Sequence, residues 1–126
     1  KRGLYLALYV RDGVLPSNSL RDDRYHWALL SMPIATDRRP DKASRFHARN
    51  FFSSPDQTNW VFEEIYVDAS GTPKLLSKTY IGDILDNERF LETLMDVPMI
   101  QDAPEWSCVE WIKKALDDIT REGEAV

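Results

Sequence analysis

Residues 107–121 read Ser-Cys-Val-Glu-Trp-Ile-Lys-Lys-Ala-Leu-Asp-Asp-Ile-Thr-Arg, and the period of that stretch decides the fold. Val109, Ile112, Leu116 and Ile119 recur at steps of three and four, which predicts a helix with one apolar stripe. Gly123 is a natural stop. Phe90, Leu91 and Leu94 predict a shorter helix from Asp86 to Met95. Before Asp86 the pattern changes to short apolar or alternating runs bounded by Pro, Gly, Ser and Asn. These predict strands over Leu4 to Val10, Tyr25 to Met32, Arg45 to Phe52, Trp60 to Val67 and Leu75 to Ile81. Strands first and helices last give an α+β class, an antiparallel sheet of about five strands with helices packed on one face. The Ala69-Ser70-Gly71-Thr72-Pro73 turn predicts a hairpin of the fourth and fifth strands. Residues 1–126 read as a single domain.

Composition narrows the function classes. The chain has 126 residues, 43% hydrophobic and 29% charged, a globular profile. No apolar run approaches the roughly 20 residues of a membrane helix. One cysteine cannot form an internal disulfide, so a cytoplasmic location is expected. A net charge of −5 argues against non-specific nucleic-acid binding over the whole surface. Arg38, Arg39, Lys42, Arg45 and Arg49 are a local exception, read either as a solvated loop or as an anion site near His47.

The single cysteine and the two histidines each sit among aromatic neighbours. Ser107-Cys108-Val109-Glu110 fits a capping box, with Trp106 and Trp111 at the positions of a hydrophobic staple. In that register Cys108 opens the helix, where backbone N–H groups and the dipole favour a thiolate. Asp102-Ala103-Pro104-Glu105 offers a competing start that would bury Cys108 deeper in the helix. The bland alternative for a lone cysteine is a small core residue. His26 shares a strand face with Ala28 and Leu30, opposite Trp27 and Leu29. It is read as a core histidine or as a general base facing the helix that carries Cys108. His47 is the natural orienter of His26, with Asn50 or Glu64 as substitutes. No closely spaced Cys or His pair suggests zinc, so neither metal nor cofactor is expected.

Tyr25-His26-Trp27-Ala28-Leu29-Leu30, the later His47 and Trp106-Ser107-Cys108-Val109-Glu110-Trp111 resemble the lecithin:retinol acyltransferase-type enzymes, permuted relatives of papain-like peptidases. The last segment departs from that family's Asn-Cys-Glu-His-Phe, with Ser for Asn and the acidic residue one place later. The resemblance implies a permuted papain-like fold and a Cys108, His26, His47 arrangement. Along nearly its whole length the chain is also similar to a group of small fungal proteins without known activity. That pattern comprises Tyr25 to Leu29, Phe46 to Asn50, Leu75 to Gly82 and Trp106 to Trp111.

The expected function is cysteine-dependent acyl transfer, as transferase or hydrolase. Cys108 attacks a small-molecule acyl donor, His26 moves the proton and His47 orients His26. The Cys108 N–H and its neighbours are the candidate oxyanion donors. Trp27, Asn50, Glu64, Arg49 and Trp106 are the candidate substrate contacts. A second reading has the same thiol take an aminoacyl group from tRNA and form a cyclic dipeptide. The Arg38–Arg49 stretch would meet the tRNA, and Glu63, Glu64 or Glu110 would hold a cationic amino acid. A third is a non-catalytic binding domain in which both histidines are structural. The oligomeric state is left open.

Overall fold

Strand alternation decides which side chains the sheet sends to each of its faces. The computed structural model describes residues 2–10, 25–33, 43–54, 57–67, 74–103 and 105–126. Within them run β1 (Arg2–Val10), β2 (Tyr25–Pro33), β3 (Ala43–Ser54), β4 (Gln57–Val67), β5 (Leu75–Ile84), α1 (Asn87–Met95) and α2 (Cys108–Glu122). The five strands form one antiparallel sheet in the order β4-β3-β2-β1-β5. The α+β class is as the periodicity predicts.

The predicted β4–β5 hairpin is a correction. β5 pairs with β1, from Arg2 opposite Ile84 to Tyr9 opposite Leu75, and so stands at the far edge from β4. β1 carries the apolar run Leu4 to Val10 and has β2 on its other side. A second neighbour satisfies the remaining backbone groups of this central strand. Val67 at the end of β4 and Leu75 at the start of β5 both pack against Ala7, Tyr9, Ala28 and Leu30.

α1 and α2 cover one face. There Leu4, Leu29, Phe46, Ala48 and Ile84 meet Phe90, Leu94, Trp111, Ile112, Ala115 and Ile119. Fully burying each large side chain contributes about 1.5–3 kcal/mol. The opposite face is lined by the smaller Tyr9, Ala7, Ala28 and Leu30 cluster.

Local signals set the helix ends. Asp86 caps α1 by accepting from the Arg89 N–H. Ser107 caps α2, its Oγ accepting from the Val109 N–H at 3.2 Å. The competing start is not used: Asp102 has φ 57, outside the extended geometry of an N-cap. Gly123 closes α2 in the left-handed region at φ 79, where a side chain would be strained. The expected staple forms differently. Trp106 packs edge-on to Trp60 at 5.4 Å, and Trp111 lies against Phe62 at 5.8 Å. Both tryptophans thus anchor the start of α2 to β4.

Candidate active site

The two histidines, 21 residues apart in sequence, meet on the sheet. His26 lies opposite Tyr9 on β1, and His47 lies opposite Glu63 on β4. His26 Nε2 is 2.7 Å from His47 Nδ1, and His47 Nε2 is 2.8 Å from Glu63 Oε1. Arg49 donates from Nε to Glu63 Oε2 at 2.9 Å. Four side chains from three adjacent strands therefore form a continuous chain, Arg49–Glu63–His47–His26.

Its chemistry follows from the inventory of donors. Burial pushes the His47 pKa below the usual histidine value, helped by the charges of Arg45 and Arg49 and opposed by the bond to Glu63. His47 is therefore neutral at pH 7 and carries one ring proton. Glu63, held below the usual carboxylate range first by its bond to His47, is an anion and only accepts. The His47 proton thus sits on Nε2, and His47 Nδ1 is the acceptor. His26 must then donate from Nε2 to His47. A proton taken up at His26 Nδ1 creates an imidazolium whose charge is answered through His47 by Glu63.

The sheet places the other expected partner differently. Cys108 opens α2 as predicted and is fully buried, in the cluster with Leu29, Phe46 and Ala48. Trp27 packs against that cluster and Leu29 belongs to it, so α2 covers the Trp27–Leu29 side of β2. His26, one residue earlier, leaves the strand on the Ala28–Leu30 side. The expectation that His26 faces the helix of Cys108 is corrected in this respect. The bulk of Trp27 and Leu29, rather than the polarity of His26, decided which face the helices cover.

Among the described residues the β2–β3 pairing covers only Leu29 to Ser31 against Phe46 to Ser44. Both strands continue past it, to Tyr25 and to Ser54. The ladder thus ends just before His26 and Trp27 on one strand and just after Phe46 on the other. Trp27 and Ala48, which flank this unpaired seam, pack in the cluster that holds Cys108.

The remaining expected residues separate. Arg49 joins the histidine chain through Glu63. Asn50 is exposed and lies opposite Trp60, on the helix-covered face. Glu64 lies opposite Phe46 on that same face, where it lines a pocket of about 610 Å³ with Arg2, Ser44, Tyr66 and Asn87. Neither can orient His26. Trp27 is packed into the core, and Trp106 packs on Trp60. Glu110 lies 3.8 Å from Lys113, an exposed pair on α2. Arg38, Arg39 and Lys42 lie outside the described residues. Glu63, the residue that holds His47, was expected only as a substrate contact. Its role was open to hairpin counting: a turn near Ser54 and Pro55 places residue 63 opposite residue 47.

The model of a family of unknown function, DUF6914, matches residues 1–126. No curated protein and no solved structure matches. None of the described helices is long and apolar enough to cross a membrane.

Proposed function

The chain belongs to the DUF6914 family of unknown function, and we propose that it is a cysteine-dependent acyl-transfer enzyme of the cytoplasm with His26 as its base. The observation that carries this reading is the Glu63–His47–His26 chain, because a proton taken up by His26 is answered through His47 by the Glu63 carboxylate. The thiol partner is supported by the position of Cys108 at the capped tip of α2.

In this reading Cys108 and His26 must approach past the end of the β2–β3 ladder; the Cys108 proton then passes to His26 Nδ1, and the thiolate adds to the carbonyl carbon of an acyl donor. The oxyanion is held by N–H groups of the first turn of α2. The intermediate collapses, the leaving group departs with the proton from His26 Nδ1, and an acyl-thioester remains on Cys108. Water or an amine then attacks, His26 takes the acceptor's proton, and the thiolate leaves and is reprotonated.

Mass spectrometry after exposure to an activated ester such as p-nitrophenyl butyrate tests this reading. The expected result is one butyryl adduct on Cys108, absent in C108A and formed at least about 100-fold more slowly in H26N. Unchanged turnover in C108A would remove the thiol.

The placement of His26 on the face away from α2 favours a second reading. Here His26 with its partners is a general base acting directly on a hydroxyl, amine or water of a substrate bound on that face, and Cys108 is a core residue. C108A then keeps full turnover while H26N loses it.

A further inference from the structure

We propose that Arg45 binds the anionic group, a carboxylate or a phosphate, of the molecule on which His26 acts. The inference rests on the reading of His26 as a catalytic base.

Arg45 and Arg49 flank His47 on β3 and share its face of the sheet. Their partners differ. Arg49 is neutralised by Glu63 at 2.9 Å. Among the described residues no carboxylate pairs with Arg45, and its Nε is buried without an acceptor. The guanidinium lies over the Tyr9 ring at 5.0 Å. That ring is 6.4 Å from the His26 imidazole, which it faces across the β1–β2 ladder. Tyr9 thus connects a cation with no carboxylate partner among the described residues to the candidate base.

A buried N–H of a charged group without an acceptor is costly. Aromatic stacking steers the guanidinium but accepts no hydrogen bond from its edge. A planar fork that presents Nε and one Nη together matches two oxygens of a carboxylate or a phosphate. Such a ligand completes the arginine and lies on the same face as the histidine chain. The Arg45 charge also opposes protonation of His47. An anion seated on Arg45 cancels that opposition, so ligand binding and proton uptake by the chain reinforce each other.

The test is an NMR titration of the intact protein with sodium acetate and, separately, inorganic phosphate at constant ionic strength. It follows the Arg45 Nε–H and the imidazole resonances of His26 and His47. A saturable shift with either anion is expected, at least tenfold weaker in R45Q and unchanged in K113Q on the exposed side of α2. Saturation by acetate alone identifies a carboxylate, and by phosphate alone a phosphate. The proposal is overturned if neither anion gives a saturable shift in the wild-type protein, or if a folded R45Q binds as tightly. Wild-type binding decides the matter even if R45Q fails to fold. Because binding is read without turnover, the same titration in C108A keeps a failure of the catalytic reading distinct from a failure of the anion site.

Discussion

On the face covered by α1 and α2 the strands contribute Leu4, Leu29, Phe46 and Ala48 to the core. On the other face the same strands contribute Tyr9, His26, Arg45 and His47. Neighbouring residues of one strand are thereby committed to different tasks. Phe46 packs edge-on against Phe90 at 5.4 Å, while the next residue, His47, is hydrogen-bonded at both ring nitrogens. The contrast teaches that stability and proton handling are divided by strand parity. Cys108 is the one proposed participant that sits with the stabilising layer.

The comparison can be broken from either side. The largest effect is expected at its chemical end. His26→Asn removes the proton carrier and lowers turnover by about 10³-fold, read as kcat/KM on the activated ester, with the melting temperature little changed. Phe90→Ala attacks the other face. It is expected to cost about 3–5 kcal/mol of folding free energy in urea denaturation, while the hydrogen-bonded His47 resonance survives in the folded fraction. A variant that lost both readouts equally would show that the faces are not separable.

Smaller changes sharpen the division. Glu63→Gln keeps an acceptor oxygen for His47 but removes the negative charge. Turnover is expected to fall by about tenfold, and the acid limb of its pH profile to move to lower pH, because the imidazolium loses its counter-charge. Acidification of the wild-type protein tests the same chain through stability. The His47 and Glu63 pKa values both lie below their unfolded values, so the unfolded chain binds more protons. Stability is therefore complete above the ordinary histidine value. It declines first as pH falls below that value, and again as pH falls through the carboxylate range. In His47→Gln the first decline is expected to vanish from urea titrations. The smallest effect belongs to the tip of α2, where Ser107→Ala removes the cap at about 1 kcal/mol.

What was legible in the sequence was what local chemistry controls. The five strands, the two helices and the Ser107 and Gly123 caps follow from periodicity and from short-range hydrogen bonding. The pairing of β5 with β1 was not legible, because a turn composition marks the end of a strand without saying which strand the next one pairs with. The meeting of His26 with His47 was legible from their adjacent strands. The side of the sheet on which they meet was not. Period-2 alternation separates His26 from Trp27 without saying which face a distant helix will cover. Glu63 and Glu64 stand next to each other and face opposite ways for the same reason, and only Glu63 reaches His47.

The most direct measurement of the thiol–imidazole partnership is the pH dependence of Cys108 alkylation by iodoacetamide in the wild-type protein and in His26→Asn. Wild-type alkylation at pH 6, limited in both proteins by the burial of Cys108, is expected to be about 100-fold faster than in the variant, with the two rates converging at alkaline pH as any thiol ionises. Superimposable profiles across the whole pH range would contradict that partnership.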